Sequence, residues 1–242
     1  MLTDKALKNI YLTEFHKKND AKFVPFSGYD MPINYKRGII SEHIHVRNHI
    51  GIFDVSHMGQ ILVPLSDKNI YALESYIPLS IKKIISNKCH YSFILNCNGG
   101  IIDDIMFSKI KFDNKEFAYI VYNSSRKKIL NEIFNKTILN FEIIEDRCLI
   151  AIQGPESFAS ISSIINLPLS MNFLNIEIVN YDNNNVFISR SGYTGEDGFE
   201  LSIKNIISEK LVNEILNNSN AILCGLGSRD SLRVEAGLSL YG

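Results

Sequence analysis

The sequence predicts an α+β fold with largely antiparallel sheets, and three observations carry that expectation. Short β-branched and aromatic runs recur along the whole chain. Segments of helical period are mixed among them without strict strand–helix–strand alternation, which argues against a doubly wound parallel sheet. Several strand-like runs are joined by clusters of Gly and Asn, as hairpins are.

In chain order, residues 1–5 (Met-Leu-Thr-Asp-Lys) read as a helix start with Thr3 as cap, and helical periodicity extends to about residue 16. Further helices are expected over 36–49, 67–76, 124–137, 155–164, 206–216 and 229–236. Strands are expected over 52–55, 59–63, 91–95, 101–110, 117–122, 141–144, 148–153, 176–181, 186–190, 198–203 and 222–224. Gly154-Pro155-Glu156-Ser157 reads as a strand exit with Pro at the first helical turn. Asp182-Asn183-Asn184-Asn185 reads as a turn.

With 242 residues, 45% of them hydrophobic and 21% charged, the chain is long enough for one large domain or two interleaved ones. Twenty-five Lys and Arg balance 26 Asp and Glu, a net charge of -1, so no basic field points to nucleic acid or anionic lipid. No apolar run is long enough to span a bilayer. The N-terminus lacks both a secretory apolar core and the Arg-rich character of a transit peptide, so a cytoplasmic protein is expected. Cys89, Cys97, Cys148 and Cys224 form no CxxC pair and are expected to be reduced.

The run Gly99-Gly100-Ile101-Ile102-Asp103-Asp104 places two adjacent carboxylates between a glycine turn and an apolar strand. Strand side chains alternate, so Asp103 and Asp104 point to opposite faces. One can be solvated; the other is pushed toward the interior or a cleft, where a carboxylate needs partners and can be tuned for proton transfer. The plainer reading is a solvated Asp beside a structural Asp that holds a backbone amide. Tyr91, on the preceding strand of the same hairpin, can come alongside Asp104 as an aromatic wall for a flat heterocycle.

The loop from Ser191 to Glu200 carries Gly192, Gly195 and Gly198, which permit positive φ and close approach to a ligand. Tyr193 and Glu200 flank it, and a Glu there can accept the paired N–H groups of an amino-pyrimidine edge. A solvated glycine hairpin is the plainer reading. After the strand at 222–224, Ser228 is a candidate N-cap and Asp230 suits a first turn, whereas Arg229 is disfavoured there by roughly 0.3–1 kcal/mol. Such an Arg suggests a role toward a ligand carboxylate, unless Asp230, Glu235 or Glu200 satisfies it. His45 and His49 share a helix face, but no further ligand is suitably placed and a metal is not expected. His57 reads as a buried, hydrogen-bonded histidine before a catalytic one, and Met58 beside it as packing.

Taken together, these segments resemble the aminomethyltransferase (T-protein) family of the glycine cleavage system. The resemblance runs through residues 15–32 (Phe-His-Lys-Lys-Asn-Asp-Ala-Lys-Phe-Val-Pro-Phe-Ser-Gly-Tyr-Asp-Met-Pro) and 51–60 (Gly-Ile-Phe-Asp-Val-Ser-His-Met-Gly-Gln). It continues through 99–104, 192–200 and 225–230 to Leu240-Tyr241-Gly242, and so spans nearly the whole chain. It implies transfer of the aminomethyl carbon from the lipoyl arm of H-protein to tetrahydrofolate, giving 5,10-methylenetetrahydrofolate and ammonia. By position, Asp104 would be the essential carboxylate near the folate nitrogens, assisting deprotonation as one attacks the carried methylene. Glu200 would bind the pterin donor edge. Met58, Tyr91 and Tyr193 would line the folate pocket, with Asn123 as a further candidate, and Arg229 would face the folate or the incoming arm. Asp103 would be structural. No metal and no covalent nucleophile is implied, and a monomer is expected.

The family architecture implies two interleaved α+β units, residues 1–50 with 146–242 and residues 51–145, with folate between them. The family continues past Leu-Tyr-Gly into a C-terminal β-rich domain, so the chain reads as an N-terminal portion without that domain. Ser108 stands where a pocket Tyr is common in the family. Two alternatives accompany this reading: another folate-dependent superfamily member, such as an S-demethylase or the folate domain of an oxidase, and a non-enzymatic folate-binding protein of the kind that assists iron–sulfur assembly. The intact Asp104 motif speaks against the first. The absence of a Lys-Gly-Cys-Tyr-type motif speaks against the second.

Overall fold

The computed structural model describes residues 6–241. Its elements are β1 (Lys8–Asn9), α1 (Thr13–Lys18), β2 (Lys22–Phe26), β3 (Tyr29–Asn34), α2 (Ile39–Asn48), β4 (Ile50–Asp54), β5 (Gly59–Pro64), α3 (Asp67–Glu74), β6 (Lys88–Leu95) and β7 (Ile101–Phe112). They continue with β8 (Lys115–Tyr122), α4 (Lys127–Thr137), β9 (Glu142–Ile143), β10 (Arg147–Gln153), α5 (Ser157–Ile164), β11 (Ile176–Tyr181), β12 (Asn184–Ser189), β13 (Gly198–Lys204), α6 (Asn205–Asn218), β14 (Ala221–Cys224) and α7 (Leu226–Glu235).

The strands form a six-stranded sheet, β11-β12-β13-β10-β4-β14, a five-stranded sheet, β6-β7-β8-β5-β9, and a small sheet, β1-β3-β2. Pairing within the two large sheets is antiparallel apart from β14 on β4. This is the mixed, largely antiparallel architecture that the sequence predicts.

Alternation along the strands sorts the core into layers. In β10, Cys148, Ile150 and Ile152 face one cluster, with residues of α5 and α6. Leu149 and Ala151, one residue out of phase, face a second cluster that also takes Cys89, Ile110, Tyr119 and Val121 from the five-stranded sheet. The opposite face of that sheet packs Ile105, Phe107, Ile120 and Tyr122 with Leu73 of α3 and Leu130 and Phe134 of α4. The order is therefore helices, sheet, sheet, helices, and the space between the sheets decides where ligand-facing residues sit.

Local differences from the sequence reading have physical causes. Thr3 and its expected cap lie outside the described residues, and the first described helix is α1, after the short β1. The β2–β3 hairpin escapes the sequence reading because Pro25 and Pro32 interrupt its two strands. Its turn is sharp, with Ser27 at φ +48° and Gly28 at +83°. The turn at Asp182 and Asn183, both at positive φ, links β11 to β12 as expected. α7 begins at Leu226, two residues before the expected N-cap Ser228. Gly225 caps it, and Ser228 lies inside the first turn, donating to Glu42 Oε2 at 2.8 Å. Glu42 also accepts from the Gly225 N–H at 2.9 Å, so a carboxylate from α2 does the capping that Ser228 is expected to do.

Candidate functional site

β7 sends the two aspartates to opposite faces of the five-stranded sheet. Asp104 shares the phase of Met106 and Ser108, which face the six-stranded sheet, whereas Asp103 shares the phase of Ile105 and Phe107 on the outer face. Asp103 is fully buried, accepting the Asn123 backbone N–H at 3.0 Å and its amide Nδ2 at 2.8 Å. It therefore holds a backbone amide, as the structural reading has it. Burial pushes the Asp103 carboxyl up to about 6, against the pull of the Asn123 donors and with the help of the Asp104 charge.

Asp104 is half-buried and held at both oxygens. Tyr91 Oη donates to Oδ2 at 2.8 Å, and Asn123 Nδ2 donates to Oδ1. The Asn123 amide thus clamps both aspartates. Tyr91 stands on the same face of β6 as Cys89, which belongs to the inter-sheet core. Burial, followed by the hydrogen bond to Asp104 and its charge, pushes the Tyr91 phenol up. Met58 packs on the inter-sheet core just ahead of β5, where Gly59 pairs with Tyr122. A Cβ on Gly59 would lie 2.3 Å from the Tyr122 ring, so only glycine lets the strands close here.

From the other sheet, Glu200 projects toward the same space, since Phe199 and Leu201 face the helical layer. Its ionic partner is Arg229 of α7, Nη2 to Oε1 at 3.6 Å. The Arg229 guanidinium lies over the Tyr193 ring, 5.1 Å from its centroid. Arg229 Nη1 is buried without a partner. Of the three acids that might satisfy this arginine, Asp230 pairs with Arg233 and Glu235 with Arg47, leaving Glu200 alone at long range. Tyr193 is raised mainly by burial, and Asp104 is among the charges that act on it, so the two halves of the site share one electrostatic environment.

Two expectations change. Gly192 and Gly198 do not open the loop toward a ligand: a Cβ at either would strike the Gln153 side chain, at 1.8 and 2.4 Å. The glycines make room for that buried glutamine, which donates to Ser191 O at 3.1 Å and accepts from Thr194 Oγ1 at 3.0 Å. His57 is buried as expected, but its Nδ1 has no hydrogen-bond partner. Burial and the Arg229 charge push it down to about 3, so it is a neutral imidazole at physiological pH.

Further residues that carry no expectation from the sequence border the site. Phe26 and Tyr29 of the β2–β3 hairpin stand edge-on to His57, with centroids 5.4 and 6.3 Å away. Lys127 donates to Tyr29 Oη at 2.9 Å and is pushed down to about 8, mainly by burial. The segment after α7 crosses to the other sheet: Tyr193 Oη donates to Ser239 O, and Tyr241 Oη donates to Ile101 O at 2.7 Å. The Ser27-Gly28 turn is the sequence signal that a hairpin precedes α2. Nothing local marks Lys127.

His45 and His49 are spoken for by protein partners. His45 Nε2 meets Asn220 O at 2.6 Å and His49 Nδ1 meets Glu156 at 3.2 Å. Among the described residues no group of three or more His, Cys, Asp or Glu is placed to hold a metal ion. No helix among them is long and apolar enough to cross a membrane.

The family described as "GCVT N-terminal domain" matches residues 12–242. The chain belongs to this family. It is 36% identical to the mitochondrial aminomethyltransferase of Dictyostelium discoideum over 256 aligned positions, covering 98% of this chain and 62% of that protein. It is 38% identical to an aminomethyltransferase of Prochlorococcus marinus (strain NATL2A), covering 93% of this chain and 64% of that protein. The solved structure of glycine cleavage system aminomethyltransferase T from Bartonella henselae superposes with a TM-score of 0.87 at 34% identity, over 97% of this chain and 64% of that one. The chain therefore spans just under two thirds of the length of these relatives. A heterotetrameric sarcosine oxidase from Corynebacterium sp. U-96, at 10% identity and a TM-score of 0.50, shares the fold alone. Asp104, Tyr91, Asn123, Met58, Glu200, Tyr193 and Arg229 all fall within the matched residues.

Proposed function

We propose that the chain is the folate-binding and catalytic portion of a glycine cleavage aminomethyltransferase. In this reading the one-carbon unit passes from aminomethyl-lipoyl H-protein to tetrahydrofolate, giving 5,10-methylenetetrahydrofolate and ammonia. The observation that carries the proposal is the convergence of Asp104, held by Tyr91 and Asn123 on one sheet, with the Glu200–Arg229–Tyr193 group on the facing one. Membership of a family whose named members are aminomethyltransferases supports it.

The donor set suits a reduced pterin. Tetrahydrofolate, when bound, supplies the nitrogen that accepts the carbon. Glu200 accepts from the N–H edge of the heterocycle, and Arg229, with a buried Nη1 free to donate, faces a polar acceptor beside it. Tyr193, Tyr91 and Met58 form apolar walls. Asp104 takes the proton released at the attacking nitrogen. Its two donors keep the carboxylate aimed in one direction before the substrate arrives. Asn123 is a positioning residue, anchored in turn by buried Asp103.

The two large sheets correspond to two interleaved units, and we place the first crossing between β4 and β5, because β4 pairs with β10 and β14 in the six-stranded sheet. A cytoplasmic monomer that meets lipoylated H-protein transiently completes the proposal.

The test is ammonia release from aminomethyl-loaded H-protein, with and without tetrahydrofolate, by the chain and by Asp104→Asn. Folate-dependent release that falls by about 100-fold or more in the variant is the expected result. Release indifferent to the substitution, or none alongside no detectable folate binding, overturns the proposal.

A further inference from the structure

Between the two sheets lies a cavity of about 10 Å³, lined by Glu200, Ser108, Ser189, Ser191, Tyr119 and Cys89 together with apolar side chains. That is room for about one water molecule, and a buried water needs two to four polar partners.

The hydrogen bonds already made there leave such partners. Ser108 Oγ donates to Cys89 Sγ at 3.2 Å, and Tyr119 Oη donates to Gln60 Oε1 at 2.8 Å. Each has spent its proton and keeps oxygen lone pairs. Ser189 and Ser191 share one hydrogen bond at 2.8 Å and Ser189 Oγ donates to Glu200 O at 3.4 Å, so both hydroxyl protons of that pair are used and Ser191 Oγ keeps its lone pairs. Glu200, with a side chain only 14% exposed, has Arg229 at 3.6 Å as its ionic partner. A carboxylate offers about four acceptor positions, and an under-solvated one is costly. The groups facing Glu200 are Arg229 from α7, Tyr119 from β8 and Cys89 from β6. Burial keeps Cys89 neutral by pushing its thiol up to about 12, so Arg229 supplies the charge.

We propose that Ser108 holds an internal water against the rear of the Glu200 carboxylate, making Ser108 a positioning residue for the ligand edge that Glu200 receives. The water donates to Glu200 and to the hydroxyl oxygen of Ser108 or Tyr119, the two polar partners that a buried water requires. It keeps the carboxylate oxygens turned to the cleft in place of a direct protein donor. The final step, toward folate, rests on the function proposed above; the water and its effect on Glu200 do not.

The experiment uses the ligand-free protein and the Ser108→Ala and Ser108→Thr variants. A high-resolution crystal structure, with carboxylate-carbon NMR titration of Glu200, reads the water and the charge separately. The expected result is an ordered water within hydrogen-bond distance of Ser108 Oγ and Glu200. In Ser108→Ala the Glu200 proton affinity rises about tenfold, with Ser108→Thr close to the parent. Tetrahydrofolate binding weakens about tenfold in the alanine variant, most at the acid end of the pH range. A dry cavity in the parent, or an unchanged Glu200 titration in Ser108→Ala, overturns the inference. The expected water and titration, with no tetrahydrofolate binding by the parent, would instead remove the folate reading and leave the water in place.

Discussion

Arg190 and Arg229 stand close to the two ends of one loop and are opposite in character. Arg190 meets Asp197 with Nε and Nη2 at 2.9 and 2.7 Å, gives Nη1 to Met171 O at 2.6 Å, and stacks on Phe158. Its donors are used and its place is fixed. Arg229 has one long ionic contact, an aromatic neighbour and a buried Nη1 with nothing to donate to. The histidines repeat the contrast. His16 joins Tyr35 Oη at 2.8 Å to Asp54 at 2.9 Å, while His57, three residues beyond Asp54, keeps an unpartnered Nδ1. Arg190 and His16 are saturated and hold the fold; Arg229 and His57 are unsaturated and stand beside the cleft, while the other unpartnered hydroxyls, Ser160, Ser162 and Tyr181, lie on the helical layer. A buried donor without an acceptor is destabilising by about 1–3 kcal/mol, so its persistence points to a ligand that satisfies it.

Breaking the saturated set should cost the most stability. Asp54 is fully buried; burial alone would raise it, but the His16 hydrogen bond and charge, with Ser56, hold it below the usual carboxylate range. Asp54→Ala should lose about 3–5 kcal/mol in urea unfolding, because His16 is left buried without its partner. A loss under about 1 kcal/mol would mean that the His16–Asp54 pair is not a fastening.

His57 sharpens the contrast through pH. Its folded-state pKa of about 3 lies below the ordinary value of 6.5. The unfolded chain therefore binds the proton more readily, and stability present above pH ~6.5 is lost as the pH falls toward 3, by about 1.4 kcal/mol per unit. His57→Gln should gain about 2 kcal/mol on the parent between pH 8 and pH 5. Asp103, raised to about 6, works in the opposite sense, weakening the fold as pH rises from about 4 to 6, but it is common to both proteins and cancels in the difference. Equal acid sensitivity of the two proteins would show that His57 carries a partner.

The arginines make the smallest and most discriminating pair in stability. Arg190→Ala should cost about 1–3 kcal/mol with tetrahydrofolate affinity little changed in the fraction that remains folded. Arg229→Met, which removes a poorly paired buried cation, should stay within about 1 kcal/mol of the parent yet weaken tetrahydrofolate binding by about tenfold or more. Calorimetric titration beside urea unfolding reads both. The reverse pattern, Arg229 structural and Arg190 ligand-sensitive, would undo the comparison.

Much of this molecule was legible along the chain. Period-two runs located every strand of both large sheets, and the Gly99-Gly100 turn with its hairpin brought Tyr91 to Asp104. Strand phase alone separated the two aspartates, because adjacent side chains on a strand cannot share a face. The β2–β3 hairpin stayed hidden because its prolines break the local pattern and its pairing supplies what propensity does not. The start of α7 was misread because its capping carboxylate comes from Glu42, far away in sequence. Which of the polar residues are saturated lies beyond any local signal. Gly192 and Gly198 look like ligand-approach glycines until Gln153 fills the space, and only following each donor to its acceptor shows Arg190 saturated and Arg229 not. Local sequence determines where the backbone bonds to itself and which way each side chain leaves it. Only the packing of one sheet against the other decided which of those side chains meet, and so which were left free to bind something else.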